Sequence, residues 1–376
     1  MSRPFRILIT GASGFIGKNL VVRLGELPDF SSSPFVRGDD ADDLPSLIAQ
    51  ADAVVHLAGV NRPTDEGAFG RDNFGLTEAL CAVLHDEATE NGRKLPLILA
   101  SSIQAERENA YGRSKLAAEK AVQALSAQTG NPTTIFRLPG VFGKWCRPNY
   151  NSVVATFCHN VARDLPIRID NPAHELRLVY IDDVLDAMVE ALKDPPQGSA
   201  FSKVKPEYTI CVGELAERIR SFEALRDELG VGRVGAGLTR ALYATYVSAL
   251  PTERFSYAIP KHGDERGVFV EMLKTTDSGQ VSFLTALPGV TRGGHYHHTK
   301  TEKFLVLRGH AQFRFRNLLS DERVQLETSG DHPQIVETIP GWSHDITNVG
   351  EEEMVVMLWA NEIFNRDKPD TIASRI

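Results

Sequence analysis

Near its start the chain runs from an apolar stretch, Phe5–Ile9, straight into Thr10-Gly11-Ala12-Ser13-Gly14-Phe15-Ile16-Gly17 and then into a helical pattern. No other feature limits the fold as much. Gly11 permits a tight turn, Gly14 lets the backbone approach a pyrophosphate, and Gly17 lets helix and strand pack closely. The helix start offers N–H groups and a positive dipole end to phosphate. Strand, turn and helix together predict a dinucleotide site built from Gly11, Ser13, Gly14, Phe15, Ile16 and Gly17.

Up to about residue 140 buried-strand patterns alternate with helical ones. The strands are expected at Phe5–Ile9, Pro34–Val36, Ala53–Ala58, Leu97–Ala100 and Thr133–Leu138. Helices are expected at Gly17–Leu27, Leu76–Glu90, Ser114–Gln128, Val153–Arg163, Ile181–Leu192 and Gly213–Leu229. This is the pattern of an α/β doubly wound parallel sheet. Beyond about 245 short apolar runs recur between polar or Gly/Pro turns, which predicts an all-β sandwich or barrel. Seven of the eleven histidines fall there and none of the four cysteines does. We therefore expect two domains, 1–245 and 250–376.

Net charge is −8 without a basic patch, which argues against a nucleic-acid partner. No stretch approaches the roughly 20 apolar residues of a membrane span. No signal-peptide pattern is visible, and the scattered cysteines fit a reducing, cytoplasmic setting.

The second strand pattern ends at Arg37, a residue type that favours the 2′-phosphate of NADPH. Asp39 and Asp40 follow it, so an acid for NAD is also available. Tyr111-Gly112-Arg113-Ser114-Lys115 places a phenol and an ammonium four apart, on one helical face. The ammonium would favour phenolate and lower the Tyr111 pKa. Ser101 and Ser102 end the strand before it, at the sheet edge where such folds bind ligands. Only eight residues separate Ser102 from Tyr111, so the intervening loop is short.

These segments resemble the extended short-chain dehydrogenase/reductase family, as does His56-Leu57-Ala58-Gly59 beside the adenine ribose. The resemblance implies Tyr111 as general acid, Lys115 as the residue holding the nicotinamide ribose and Ser102 on the substrate carbonyl, with Ser101 the alternative. Arg137-Leu138-Pro139-Gly140-Val141-Phe142-Gly143 and Arg177-Leu178-Val179-Tyr180-Ile181-Asp182-Asp183-Val184 resemble two further segments of that family. It implies Arg177 on a diphosphate, while Asp182 reads as a helix cap. Arg147, Asn149 and Asn151 are candidates for a nucleotide sugar, and so are Asn61 and Arg62 after the Leu57-Ala58-Gly59 strand end.

The C-terminal region carries the most specific pattern. His295 and His297 are two apart, Glu302 stands one position before the next expected strand, and His344 lies in Pro340-Gly341-Trp342-Ser343-His344-Asp345-Ile346-Thr347-Asn348. Three His and one Glu suit a divalent first-row metal. Zinc is expected for a non-redox role, whereas iron or manganese would suit dioxygen chemistry. The two blocks resemble the motifs of the cupin family, and Asp264-Glu265-Arg266-Gly267-Val268-Phe269-Val270-Glu271 resembles the opening of deoxysugar 3,5-epimerases. His262, Tyr296, His298 and Lys303 are candidates for a proton-abstracting base.

The combination resembles the bifunctional capsule and O-antigen enzymes of the CapF type. That resemblance implies a cupin domain epimerising C3 of a UDP-2-acetamido-2,6-dideoxy-4-ketohexose and a Rossmann domain reducing C4 with NADPH. It also leads us to expect a homodimer through the cupin domain. Two other readings stay open: a simple 4-ketosugar-nucleotide reductase with a structural metal, and a non-catalytic NADPH-binding protein.

Overall fold

The computed structural model describes residues 3–60, 74–298, 300–367 and 369–376. Asn61 and Arg62 lie outside the described residues. The chain divides into two compact units, Met1–Ile219 with Arg240–Pro251, and Arg220–Thr239 with Thr252–Ile376. This differs from a single cut at 245–250: residues 220–239 pack with the second unit before 240–251 return to the first.

The first unit begins β1 (Phe5–Thr10), α1 (Phe15–Gly25), β2 (Phe30–Phe35), α2 (Leu44–Gln50), β3 (Ala53–His56), α3 (Leu76–Glu90) and β4 (Leu97–Ser102). It continues α4 (Ala110–Thr129), β5 (Thr133–Leu138), β6 (Gly140–Phe142), α5 (Val153–Val161), β7 (Glu175–Tyr180), α6 (Ile181–Lys193), β8 (Ser199–Ser202) and β9 (Tyr208–Cys211). Six parallel strands pair in the order β2-β1-β3-β4-β5-β8, and β6-β7-β9 form a small second sheet. The parallel sheet is doubly wound, as the alternating pattern predicts. β2 starts four residues earlier than expected and stops at Phe35, so Arg37 lies just past the strand.

Leu8, Val54, Leu97 and Ile135 of the sheet pack against Leu80, Leu84 and Val122 of α3 and α4. Each such buried side chain contributes about 1.5–3 kcal/mol. Both ends of α4 are specified locally. The Asn109 carboxamide oxygen accepts the Gly112 N–H at 2.7 Å, and Gly130 stops the helix with φ +79°.

The helix α7 (Val212–Asp227) crosses the division between units, β10 (Gly230–Val231) belongs to the second, and α8 (Gly237–Ser248) lies largely in the first. The second unit then runs β11 (His262–Asp264), β12 (Gly267–Thr275), β13 (Gln280–Ala286), β14 (Thr291–Tyr296), β15 (Glu302–Arg308) and β16 (His310–Asn317). It ends with β17 (Arg323–Ser329), β18 (Ile335–Glu337), β19 (Trp342–Asn348), β20 (Met354–Ala360) and β21 (Ile372–Ala373). Two sheets, β10-β12-β13-β20-β15-β18 with β11 on β12, and β17-β16-β19-β14-β21, form the cupin-like β domain. Leu284, Phe304, Phe313, Ile346 and Val356 fill the space between them. Among the described residues no helix is long and apolar enough to cross a membrane.

Candidate active site and metal centre

The glycine turn closes the end of β1 against the chain leaving β3. Gly11 has φ +70°, and a Cβ there would lie 2.7 Å from the Ala58 Cα. A Cβ on Gly17 would lie 2.3 Å from the Gly11 carbonyl oxygen. Leu57, Ala58 and Gly59 are thereby laid beside the turn, and the Leu57 N–H donates to the Thr10 carbonyl at 3.0 Å. Behind Gly14 and the exposed Ser13, α1 begins with Phe15 and Ile16, with no side-chain cap and no acid in its first turn. That leaves a helix start suited to an anion.

The two acids beside Arg37 are committed elsewhere. Asp39 accepts the Val36 N–H at 2.7 Å, and Asp40 accepts the Asp42 N–H at 3.1 Å as the cap of a short helical turn. Arg37 is exposed, and its guanidinium makes no ion pair among the described residues.

β4 and the first turns of α4 bring Ser102, Tyr111 and Lys115 together. The short loop between them is a single helical turn, Ile103–Glu106, capped by Ser102, whose Oγ accepts the Gln104 N–H at 3.2 Å. Gly112 sits so close to this turn that a Cβ would meet the Gln104 oxygen at 2.2 Å. Ser102 lies near enough to the Tyr111 hydroxyl to favour its phenolate. Ser101 points elsewhere: its Oγ donates to the buried Glu119 carboxylate at 2.5 Å, which Arg137 also holds at 2.7 Å. Ser102, not Ser101, therefore faces Tyr111.

Lys115 is buried, with Nζ donating to the Ala100 carbonyl at 3.1 Å. Burial pulls its pKa down to about 8 against the opposing charge of Glu119. Burial also raises the Tyr111 pKa, partly offset by Ser102. The expected lowering of Tyr111 by Lys115 is thus reversed: loss of solvent around the phenolate outweighs its neighbours. His56 lies beneath, bonded to Thr10 at 2.6 Å and Thr77 at 2.9 Å. Burial first, and Lys115 second, push its pKa down to about 3.

Arg147, Asn149 and Asn151 are exposed on the loop between β6 and α5. The Arg147 guanidinium stacks 5.2 Å from the Tyr150 ring centre. Arg177 projects from β7 and pairs with Glu207 at 2.5 Å, so it already has an anion partner. Lys144 pairs with Asp182, which does not act as a side-chain cap of α6.

In the second unit β14 and β19 pair with His295 opposite His344. His297 follows the end of β14, and Glu302 is the first residue of β15, not the one before it. Ligand atoms of these four side chains all lie within 4.8 Å of one another. Glu302 Oε2 is 3.3 Å from His297 Nε2 and 3.6 Å from His344 Nε2. Its Oε1 takes the Lys300 ammonium at 2.8 Å. Burial opposes ionisation of Glu302, but the two imidazoles and Lys300 hold it well below the usual carboxylate range. Burial, then His344 and His297, lower the His295 pKa to about 4.

The arrangement fits a metal. His344 Nε2 is buried and beyond hydrogen-bond reach of any described group. His297 Nδ1 and His344 Nδ1 face the backbone carbonyls of Asp370 and Trp342, which turns their Nε2 atoms inward. Three imidazoles and one carboxylate are donors that would suit a divalent first-row ion.

His295, Glu302 and His344 edge a cavity of about 390 Å³, lined also by Arg266, Glu271, Arg292 and Lys300. Arg292 donates to the Thr285 carbonyl at 2.9 Å, and burial together with Arg266 lowers its pKa. None of His262, Tyr296, His298 and Lys303 lines this cavity. Tyr296 alternates with His295 along β14, its ring meets that of His298 edge to face with centres 5.4 Å apart, and Lys303 pairs with exposed Glu337. Glu271 and Lys300, which line it, were not singled out from sequence. Glu271 closes the D-x-R-G-x-F-x-E stretch, so that motif was the available signal.

A doubly wound dinucleotide-binding domain with a Ser-Tyr-Lys grouping, joined to a cupin-like domain with a His/Glu cluster, is the class this fold defines. Residues 7–205 match the NAD dependent epimerase/dehydratase family, and residues 262–372 match the polysaccharide biosynthesis C-terminal domain. The chain belongs to that epimerase/dehydratase family, in the two-domain form of the CapF type. It is 54% identical over 371 residues, 99% of both chains, to UDP-2-acetamido-2,6-beta-L-arabino-hexul-4-ose reductase of Pseudomonas aeruginosa. The crystal structure of the capsular polysaccharide assembling protein CapF from Staphylococcus aureus is similar, with TM-score 0.91 and 38% identity over 98% of this chain and 100% of that one. UDP-glucuronic acid 4-epimerase from Bacillus cereus, at 18% identity and TM-score 0.56 over 65% of this chain and 98% of its own, shares the fold of the first unit.

Proposed function

We propose that the chain is a UDP-ketosugar epimerase/reductase. Its substrate is a UDP-2-acetamido-2,6-dideoxy-4-ketohexose, epimerised at C3 in the cupin-like domain and then reduced at C4 in the first unit. The product is UDP-2-acetamido-2,6-dideoxy-L-talose, on the way to UDP-N-acetyl-L-fucosamine for capsule or O-antigen. The observation that carries this reading is the grouping of Ser102 and Tyr111 beside buried Lys115, in a chain related end to end to a UDP-hexulose reductase.

The dinucleotide supplies hydride to C4. Gly11, Ser13, Gly14, Phe15, Ile16 and Gly17 hold its pyrophosphate, and Leu57, Ala58 and Gly59 flank it. Arg37, with neighbouring Asp39 and Asp40 tied to backbone, receives a 2′-phosphate, which selects NADPH. Ser102 orients the C4 carbonyl and Tyr111 gives its phenolic proton to the oxygen. A phenol whose pKa burial raises stays protonated at neutral pH, as a donor must. Lys115 holds the nicotinamide ribose. Arg147, Asn149 and Asn151 contact the nucleotide sugar, and Arg177 does so by exchanging Glu207 for a diphosphate.

In the second unit His295, His297, Glu302 and His344 would hold a divalent metal, zinc by donor type. Such an ion supplies Lewis-acid polarisation of an oxygen. Glu271, in the cavity wall, takes the C3 proton, which is acidic only while C4 is a ketone, and a proton drawn from water returns to the opposite face of the resulting enolate to complete the inversion. The protein works in a reducing cytoplasm, in keeping with its four unpaired cysteines.

A homodimer through the cupin-like domain has its support on the outer face of the larger sheet. Ile335, Leu305, Met357 and Phe283 stand side by side across β18, β15, β20 and β13, with Ile335 58% and Met357 37% exposed. Light scattering is expected to give twice the 41.4 kDa of one chain, and a monomer would remove this part.

The function is tested by incubating zinc-loaded protein with the UDP-4-ketosugar in deuterated water. Deuterium should enter C3 without NADPH, and NADPH should then be oxidised with loss of the ketone. Reduction without exchange would leave a simple reductase with a structural metal. Neither event would leave a binding protein.

A further inference from the structure

One residue from the C-terminal tail touches the metal-ligand loop at three separate places. The Asp370 backbone carbonyl faces His297 Nδ1. Its carboxylate accepts the His298 N–H at 3.0 Å and the Lys300 N–H at 2.8 Å. Two residues on, β21 pairs with β14, placing Ala373 opposite His295 and Ile372 opposite Tyr296. The tail therefore lies along the whole segment that carries His295, His297 and the approach to Glu302. Lys300, fixed by its backbone to Asp370, reaches with its ammonium to Glu302 Oε1 and leaves Oε2 toward the histidines.

We propose that Asp370 is a positioning residue of the metal centre, and that tail docking and metal binding are thermodynamically coupled. The proposal rests on the metal reading above. Its physics is simple. An imidazole whose Nδ1–H is held by a carbonyl presents Nε2 as the free lone pair in a fixed direction. A loop whose two N–H groups are held by one carboxylate loses little further freedom when the ion enters. Coupling is reciprocal: whatever the docked tail adds to metal affinity, the bound metal returns as tail protection.

The test uses full-length protein. Zinc affinity is measured by competition with a chromophoric chelator for wild type, Asp370→Ala, Asp370→Asn, and Asp367→Ala as a control. Asp367 is an exposed acid of the same tail with no carboxylate contact to the loop among the described residues. Loss of a residue supporting a ligand typically weakens metal affinity about 10–100-fold. That loss is expected for Asp370→Ala, a smaller one for Asp370→Asn, and none for Asp367→Ala. Hydrogen exchange of amides 370–376 in wild type should slow when zinc is added and quicken when it is removed, which decides the matter even if a variant folds poorly. Zinc binding by wild type with an unchanged Asp370→Ala affinity, or tail exchange indifferent to zinc, overturns the proposal and leaves the metal reading standing. Wild type that binds no zinc overturns both.

Discussion

Lys115 keeps an ammonium in a buried position, with one backbone carbonyl and the charge of Glu119 as compensation. Its pKa falls from 10.5 to about 8, so the folded chain binds its proton less well than the unfolded chain does. Between those values the unfolded state holds more proton, and stability from this group rises with pH. Below pH 8 the full burden of about 3 kcal/mol is present. Lys115→Met is therefore expected to unfold at higher denaturant at pH 7, by about 1–3 kcal/mol after the lost hydrogen bond is allowed for. It should also lose the wild-type gain in stability from pH 8 upward, while reduction falls sharply. Chemical denaturation at several pH values checks this, and parallel pH curves for the two proteins would refute it. His56 has the same sense at lower pH. Held near 3 against 6.5, it contributes stability that is lost as pH falls from 6.5 toward 3, a slope His56→Gln should remove. At this scale the sequence carried residue types and spacing but not partners. Position alone did not separate Ser101 from Ser102, and only the family resemblance put Ser102 first. Glu119, 18 residues beyond Ser101, takes one hydroxyl and leaves the other to Tyr111.

At the scale of elements, apolar periodicity located those with one apolar face. The strands β1 and β5 and the helices α3 and α6 lie within two residues of expectation. It did not mark β14 or β19 as apolar strands, because their sequences, Thr-Arg-Gly-Gly-His-Tyr and Trp-Ser-His-Asp-Ile-Thr-Asn, are largely polar. The His and Glu spacing singled out the four residues that the structure brings together instead, without marking β19 as a strand. Glu271, Lys300 and Asp370 stayed hidden, since each acquires its meaning from a strand or tail distant in sequence. The turn after β4 yields a prediction here. Gly112 lies against the Gln104 and Arg107 carbonyls, where a Cβ would come within 2.2 and 2.4 Å. Gly112→Ala must push α4 away from this turn and separate Tyr111 from Ser102. Reduction is expected to fall at least about 100-fold, the ordinary contribution of a positioned proton donor, while deuterium entry at C3 continues. Wild-type reduction in this variant would mean that the pair need not be close.

Under the proposed function, the whole molecule would join two chemistries that must run in one order. A proton at C3 is acidic only while C4 is a ketone, so epimerisation has to finish before reduction removes the carbonyl. Each compact unit holds its own candidate site: Tyr111 with Ser102 in the first, the His295-His297-Glu302-His344 group in the second. Two single-site variants should therefore fail at different steps. Tyr111→Phe retains the cupin residues and is expected to incorporate deuterium at C3 at the wild-type rate, with NADPH oxidation reduced about 100-fold or more. His344→Ala retains the reductase residues but loses one of the four residues proposed to hold the metal, so exchange at C3 should collapse together with zinc content. If the epimerised ketosugar leaves one site before entering the other, a mixture of the two variants restores the final product, at a rate that rises with the concentration of either protein. Product detection by mass, with deuterium at C3 and hydride from NADPH at C4 in one molecule, measures both events together. A mixture that makes no product, although each variant performs its own half-reaction alone, would require the intermediate to stay with the chain that formed it.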